Sequence, residues 1–135
     1  MSGTSLDGLD LALCEFRETP SGWEYRIIRA ETRPYPEEWR LRLGRAHTAD
    51  ALTFWKTHVE YGRYLGMQVR EFLSKSPDRP DVVCSHGHTV FHRPDEGYTM
   101  QIGAGEVLAA VTRLPVIYDF RSVDVALGGQ GAPLV

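Results

Sequence analysis

The order of extended and helical segments along the chain limits its fold more than any other feature. An apolar strand at 11–16 runs into Pro20-Ser21-Gly22, a typical turn, and a second strand rich in aromatic and β-branched residues follows at 23–32. These two segments predict an antiparallel hairpin. Because the later strands alternate with helices, the whole pattern predicts an α/β domain with a mixed sheet.

Two helices are predicted after the hairpin. Pro36 and the two glutamates that follow it make a favourable first turn for a helix that runs to about Arg45. A second helix starts near Thr48 or Asp50 and continues to about Lys75. Its apolar residues recur about every 3.6 positions, with two glycines on or near the same side. The predicted packing face consists of Leu52, Trp55, Val59, Gly62, Leu65, Gly66, Val69 and Phe72.

Two short apolar runs, at 81–85 and 115–118, predict buried strands, and each leads directly into a polar segment. In open α/β sheets, ligands bind beyond the carboxyl ends of the strands. The polar segments at 85–94 and 119–131 are therefore predicted to be loops of a binding site. The remaining predicted elements are a strand at 98–102 and a short helix at 103–113.

Composition and charge exclude several classes of protein. The 135 residues suit one domain, and 15 basic against 18 acidic side chains give a net charge of −3, which disfavours a nucleic-acid-binding protein. Cys14 and Cys84 lie in apolar runs, which predicts buried free thiols in a reducing compartment. With no signal peptide, membrane-spanning run or lipidation motif in the sequence, we expect a soluble cytoplasmic protein.

The first ten residues, MSGTSLDGLD, combine small residues, hydroxyls and two carboxylates. The two glycines allow the backbone to approach a phosphate closely, and Thr4 or Ser5 can add hydroxyl donors. Asp7 or Asp10 can then face the Mg²⁺ of a nucleotide. The segment predicts a phosphate-binding turn, although an ordinary hairpin tip has the same composition.

Both ends of the sequence predict a piece of a longer protein. A phosphate-binding hairpin needs a strand on each side, but Met1 alone precedes this turn, and the chain stops on two apolar residues, Leu134 and Val135. We therefore expect an uncovered sheet edge and poor folding of the 135 residues alone.

The two polar segments together carry imidazoles, hydroxyls, an amide, a guanidinium and carboxylates. This set of groups can bind a polyhydroxylated ligand such as a sugar. A zinc site is the alternative, because in an extended chain the spacing of His86 and His88 puts both rings on one face, where His92 can join them. That arrangement predicts a metal-dependent hydrolase in which the ion activates water.

The acidic residues of the second segment have more than one interpretation. Asp119 or Asp124 can contact the sugar or complete the zinc site. Asp119 can equally cap a helix, and Arg121 can form a surface ion pair with Asp124. The sequence leaves these alternatives open.

Four blocks of the sequence resemble, in this order, the anhydro-N-acetylmuramic acid kinase family: MSGTSLDGLD at 1–10, SHGHTVFH at 85–92, TMQIG at 99–103 and DFRSVDVALGGQGAPL at 119–134. The resemblance spans the whole chain but covers the N-terminal part of such a kinase alone. It implies a ribonuclease-H-like domain of the sugar kinase, Hsp70 and actin superfamily (an actin-like ATPase fold), incomplete at both ends. Residues 1–135 would form part of the N-terminal domain of a two-domain kinase whose C-terminal domain is absent.

The resemblance also implies a reaction, namely ATP-dependent phosphorylation of 1,6-anhydro-N-acetylmuramic acid with hydrolytic opening of the anhydro ring. The product is N-acetylmuramic acid 6-phosphate, in cell-wall recycling. The residues implied to line the ATP phosphates, with Asp7 and Asp10 at Mg²⁺, are Gly3, Thr4, Ser5, Leu6, Asp7, Gly8, Leu9 and Asp10. The residues implied to face the sugar are His86, Gly87, His88, Thr89, Asp119, Arg121, Asp124 and Gln130.

The chain departs from this family pattern in two respects. His88 stands where the family more often has glutamine. Histidine can donate and accept hydrogen bonds as glutamine does, so the sugar contact is expected to be retained, and its titration is expected to add a pH dependence. The general-base aspartate is expected beyond Val135, so the 135-residue chain is expected to be inactive alone. The resemblance implies no nucleic-acid or membrane partner and leaves open whether the parent enzyme is a homodimer. The non-enzymatic alternative is an actin-like interaction domain that binds nucleotide without sugar chemistry.

Overall fold

The computed structural model describes residues 6–131. Along this part of the chain, a hairpin precedes two helices, and short strands and helices then alternate. The elements are β1 (Gly8–Thr19), β2 (Gly22–Pro34), α1 (Glu37–Arg45), a 3₁₀ turn (Ala46–Thr48), α2 (Ala51–Leu73), β3 (Val83–Ser85), β4 (His88–Arg93), a 3₁₀ turn (Pro94–Glu96), β5 (Tyr98–Ile102), α3 (Gly105–Thr112), β6 (Val116–Tyr118) and α4 (Ser122–Ala126).

The described strands pair two by two. β1 and β2 are antiparallel from Gly8 opposite Pro34 to Thr19 opposite Gly22, as the hairpin prediction requires. β4 and β5 form a second antiparallel pair, and β3 and β6 form a parallel pair. The mixed α/β class is thus confirmed, although residues 6–131 form three two-stranded units where one mixed sheet was expected.

Helix α2 begins and ends within two or three residues of its prediction. Asp50 caps it, because its carboxylate accepts hydrogen bonds from the backbone N–H groups of Leu52 and Thr53, both at 3.0 Å. The predicted packing face is correct from the helix middle onward but wrong at its start, where Leu52 and Trp55 are exposed. The buried residues of α2 begin at Thr57, so the N-terminal end of the helix extends beyond the surface that it packs against. Its buried residues are Thr57, His58, Tyr61, Gly62, Leu65, Gly66, Val69 and Phe72.

The hairpin is held to α2 by arginines on β2. Arg29 donates to the carbonyl oxygen of Phe72 at 3.0 Å, and its guanidinium lies 4.6 Å from the centre of that phenyl ring. Arg33 donates to the Gln68 carbonyl oxygen at 3.2 Å. Glu31 lies between the two arginines, and its hydrogen bond with Arg33 lowers the pKa of the carboxyl group. These contacts hold β2, and with it the paired strand β1, against α2.

Several predictions about the later strands are wrong. Residues predicted as the first polar loop include β4, because Thr89, Val90 and Phe91 suit a strand and find a partner in β5. The parallel pair is not buried, since Ile117 is 52% exposed and Cys84 is exposed as well. A parallel pair becomes buried where helices cover both its faces. Cys84 is therefore not a buried thiol, and Cys14 is half-buried.

The core lies where α1, α2, β5 and α3 meet. Tyr61, Ile102 and Leu108 are its largest fully buried side chains. The hydroxyls of Tyr35 and Tyr61 share a buried hydrogen bond of 2.6 Å, and the Trp39 ring lies 5.2 Å from the ring of Tyr61. Among residues 6–131, no helix has the length and apolar character to cross a membrane.

Candidate functional site

The N-terminal segment places two carboxylates beside the core. Leu9 is buried in the core, whereas Asp7 and Asp10 on either side of it are exposed. Asp10 accepts a hydrogen bond of 2.6 Å from the Thr32 hydroxyl of the paired strand, which fixes one carboxylate oxygen. Of the residues predicted to bind the ATP phosphates, Gly3, Thr4 and Ser5 lie outside the described residues, and Leu6, Asp7, Gly8, Leu9 and Asp10 lie within them.

The two polar segments leave the same edge of the parallel pair, as predicted. Ser85, the last residue of β3, is opposite Tyr118, the last residue of β6, so His86 and Asp119 follow at adjacent positions. Asp119 has a positive φ of 58°, which is uncommon for a residue other than glycine and redirects the chain directly after the strand. The segments therefore meet at one site.

Gly87 makes the turn between β3 and β4. Its φ is +71°, and a side chain there would collide with the carbonyl oxygen of Ile102. The chain is thus not extended between His86 and His88, which removes the geometry behind the zinc interpretation. Within residues 6–131 no group of three or more His, Cys, Asp or Glu side chains is arranged to hold a metal ion.

The two histidines around this turn are in different environments. His88 is 4% exposed, and burial, with a smaller contribution from His86, lowers its pKa to about 4. His86 is half-buried, and its pKa is also lowered, first by burial and then by the charge of Arg121. Both rings are therefore neutral at pH 7. The His88 side chain lies in the interior of the molecule, behind the turn.

The second polar segment contains a short helix, α4, which one of the alternatives for Asp119 had allowed. Asp119 does not cap it, because Arg121 is the residue at its N-terminal boundary, and the Asp119 carboxylate instead accepts from the Ser122 hydroxyl. Asp124 accepts the backbone N–H of Gly131 at 2.7 Å. Its carboxylate, although exposed, thus holds the glycine-rich turn in place.

This turn brings the end of the second segment back against the first. A methyl group at Gly131 would lie 3.3 Å from Cε1 of His92 and 3.4 Å from Cβ of Arg121. Gln130, beside it, is exposed. His92, Arg121 and the glycine-rich turn therefore form one surface, and Thr89 lies two residues beyond the Gly87 turn on β4.

The hydrogen bond of Asp124 gives a direct prediction. In Asp124→Ala, the amide of Gly131 should exchange with deuterated solvent about tenfold faster, because its N–H loses a charged acceptor. Hydrogen–deuterium exchange of peptides covering 128–131 measures this. Ser122→Ala removes a neighbouring hydroxyl that bonds to Asp119 instead, and it should leave the exchange unchanged. Equal effects of the two substitutions would contradict the assignment.

The β4–β5 pair carries polar residues to which the sequence analysis gave no role. Gln101, which is opposite Thr89, donates its amide N–H to the Thr99 hydroxyl at 2.8 Å. The ring of His92 lies 3.1 Å from the same hydroxyl. Thr99 and Gln101 belong to the TMQIG block, one of the four blocks that carry the family resemblance, so the sequence did mark this segment. The direction in which their side chains point depends on the register between β4 and β5.

A large groove lies elsewhere, between β1 and β3 above α2. Its volume is about 1390 Å³, and residues such as Leu13, Phe72 and Val83 line it. Of the residues predicted to face a sugar, the groove touches His86 and Gly87 at one end. Small-molecule pockets usually have volumes of about 300–1,000 Å³. The strand-end surface therefore remains the better candidate for a binding site.

Comparison with known proteins gives one consistent result. The family model for anhydro-N-acetylmuramic acid kinase matches residues 1–135. Relatives with that name include those of Azorhizobium caulinodans, 43% identical over 148 residues, Pasteurella multocida, 39% over 144, and Microcystis aeruginosa, 36% over 142. The alignments cover all of this chain but 39%, 37% and 37% of these relatives, respectively. The chain thus spans less than two fifths of their length.

Proposed function

The chain belongs to the anhydro-N-acetylmuramic acid kinase family, and we propose that the protein of which it is a part phosphorylates 1,6-anhydro-N-acetylmuramic acid with ATP. Water adds to C1 as the C1–O6 bond breaks, and O6 takes the γ-phosphoryl group, so N-acetylmuramic acid 6-phosphate and ADP leave. The observation that carries the proposal is the family match over the whole chain, with relatives that share this name.

The N-terminal segment is assigned to ATP and Mg²⁺. Asp7 and Asp10 are exposed carboxylates on one short segment, and carboxylate oxygens are ligands that Mg²⁺ prefers. When bound, the ion neutralises charge on the phosphates. The Thr32 hydroxyl holds Asp10 in a fixed rotamer, which favours a preorganised position for the carboxylate.

The strand-end surface is assigned to the sugar. His86, Thr89, Asp119, Arg121 and Gln130 supply donors and acceptors suited to a polyhydroxylated ligand, and Gly87 lets the backbone approach it. We assign His88 a position behind this surface, where it packs under the turn. Asp124, which is exposed, is assigned to holding the glycine-rich loop.

The remaining parts of the proposal concern the whole protein. Residues 1–135 would supply part of the N-terminal domain of a two-domain, cytoplasmic kinase with a ribonuclease-H-like fold, and the general-base aspartate would come from beyond Val135. Catalysis of phosphoryl transfer depends mainly on positioning and charge stabilisation. Both sides of the cleft are then needed, and a homodimer is compatible with this arrangement.

The test follows ADP release from the protein expressed at the full length of its gene, with and without the sugar, beside the 135-residue chain. We expect sugar-dependent release from the long form alone. Asp7→Ala in the long form should lower kcat/KM at least tenfold, because it removes a ligand of the ion. Glu18→Ala, an exposed carboxylate at the far end of the hairpin, is the matched control and should leave kcat/KM unchanged.

One outcome would contradict the proposed reaction, and another would contradict the metal assignment alone. ADP release that does not depend on the sugar would indicate nucleotide hydrolysis by an actin-like domain. Equal effects of Asp7→Ala and Glu18→Ala would leave the sugar reaction in place but remove Asp7 from the metal site.

A further inference from the structure

The β4–β5 pair contains a set of hydrogen bonds whose directions can be worked out. The Thr99 hydroxyl lies 3.3 Å from the carbonyl oxygen of Phe91, which can accept but not donate, so the hydroxyl donates there. Thr99 Oγ1 must then accept from its other two partners. These are Nε2 of Gln101 at 2.8 Å and Nδ1 of His92 at 3.1 Å.

This arrangement fixes the orientation of the Gln101 amide. Its NH₂ group faces Thr99 and, at 3.4 Å, the hydroxyl of Thr89. The carbonyl oxygen Oε1 is therefore on the opposite side of the amide group. It is buried and has no hydrogen-bond partner among the described residues. Burial of an unpaired acceptor is unfavourable, and such atoms in native proteins often have a functional reason.

His86 provides a second atom of the same kind. Its Nδ1 lies 3.0 Å from the carbonyl oxygen of Gly87, which accepts only, so Nδ1 carries the ring hydrogen. In the neutral ring Nε2 is then an acceptor, and it too is buried with no partner in residues 6–131. Gln101 and His86 flank the same turn, because a methyl group at Gly87 would lie 3.5 Å from Cβ of Gln101.

We propose that Gln101 Oε1 and His86 Nε2 accept hydrogen bonds from hydroxyl or amide hydrogens of the sugar, and that Thr99 is the residue that positions Gln101. This inference rests on the proposed function. It adds Gln101 to the sugar site and names the atom through which His86 accepts. Sites built to bond a polar hydrogen reject analogues that lack it far more strongly than apolar pockets discriminate by size. Gln101 is thus a specificity-determining residue of this site.

The kinetic test uses the protein at the full length of its gene. Gln101→Met removes the acceptor at similar volume and should raise KM for the sugar about tenfold, with KM for ATP unchanged. Thr99→Val leaves Gln101 in place but frees its amide to rotate, so KM for the sugar should rise severalfold. Thr99→Ser keeps the hydroxyl and should restore the unsubstituted KM, whereas a packing role of the threonine methyl group would impair Thr99→Ser and spare Thr99→Val.

A second measurement reads the site without turnover. In protein with ¹⁵N-labelled histidine, addition of the sugar without ATP should shift the His86 Nε2 resonance, because that atom gains a hydrogen bond. Resonances of the exposed His47 should not move. If Gln101→Met fails to fold, the inference is tested by this shift and by the KM for the sugar of Thr99→Val and Thr99→Ser.

The outcomes separate the inference from its premise. Absence of sugar-dependent ADP release from the unsubstituted protein overturns the proposed function and this inference with it. Sugar-dependent release together with an unchanged sugar KM in Gln101→Met, or an unmoved His86 resonance, overturns the inference alone.

Discussion

Gly62→Ala should lower the free energy of unfolding by about 3 kcal/mol, although alanine is the better helix former. Gly62 lies in the middle of α2, where the connection between β5 and α3 rests on the helix. A Cβ at this position would lie 2.5 Å from the carbonyl oxygen and 2.8 Å from the nitrogen of Ala104. Both atoms belong to backbone, so they cannot give way as the end of a flexible side chain would.

The same connection is tied to α2 by hydrogen bonds that would have to move with it. The N–H of Ala104 donates to the carbonyl oxygen of His58 at 3.1 Å, and the N–H of Gly103 donates to the His58 ring at 3.2 Å. Ala104 is fully buried. Displacing this segment therefore weakens two buried hydrogen bonds in addition to the packing, which is why the expected loss exceeds the gain of up to about 1 kcal/mol from helix propensity.

Gly44→Ala is the matched control for this substitution. Gly44 is an exposed glycine in α1, where a Cβ would meet one atom, the Leu6 Cδ1, at an ordinary contact distance of 3.4 Å. The substitution should raise stability by up to about 1 kcal/mol. Urea denaturation of both variants, followed by circular dichroism, gives the comparison. Changes of the same sign would show that the approach of Ala104 to α2 is not a close packing contact.

The parts of the fold that the sequence predicted are those that local rules determine. The hairpin turn at Pro20-Ser21-Gly22, the start of α1 after Pro36 and the Asp50 cap of α2 depend on residues within a few positions of one another. Burial of whole faces depends on distant partners. Leu52 continues the apolar period of α2 yet is exposed, because no described element covers that turn.

The candidate site, too, has features that the sequence predicted and features that it did not. That the segments starting at His86 and Asp119 leave one edge follows from the rule that parallel strands end at one edge of a sheet, and β3 and β6 are indeed parallel, with Ser85 opposite Tyr118. The unpaired acceptor of Gln101 depends on the β4–β5 register and on the direction of one threonine hydroxyl, which no sequence pattern encodes. The zinc interpretation required an extended chain, but the positive φ of Gly87 shows that the chain turns there, and nothing in residues 6–131 supports a zinc site.

The burial of His88 has a consequence for stability that the sequence did not predict. The resemblance implied that histidine here, in place of the glutamine more usual in the family, adds a pH dependence to sugar binding. With its ring 4% exposed and its pKa lowered to about 4, His88 stays neutral in the folded chain at any pH near neutrality. The pH dependence is therefore expected in folding, where the buried neutral ring competes with a protonated ring in the unfolded chain.

The direction of this effect follows from the pKa of the His88 ring in the two states. In the unfolded chain the imidazole takes up a proton near the ordinary histidine pKa of 6.5, whereas in the folded chain it does so near 4. Between these values the unfolded state binds more protons, so stability is full above pH 6.5 and falls as the pH is lowered toward 4. A difference of this size lowers the free energy of unfolding by about 2 kcal/mol at pH 5 relative to pH 8.

His88→Gln should remove that part of the pH dependence, because glutamine does not titrate. Urea denaturation at pH 8 and pH 5 should therefore show a loss on acidification that is about 2 kcal/mol smaller in the variant than in the unsubstituted chain. The lowered pKa values of His58 and His86 act in the same direction but remain in both proteins, so they cancel in the comparison. His47→Gln removes an exposed imidazole and should leave the loss unchanged. If the two substitutions flattened the profile equally, burial of His88 would not be the cause, and the ring would have to be accessible to protons in the folded chain.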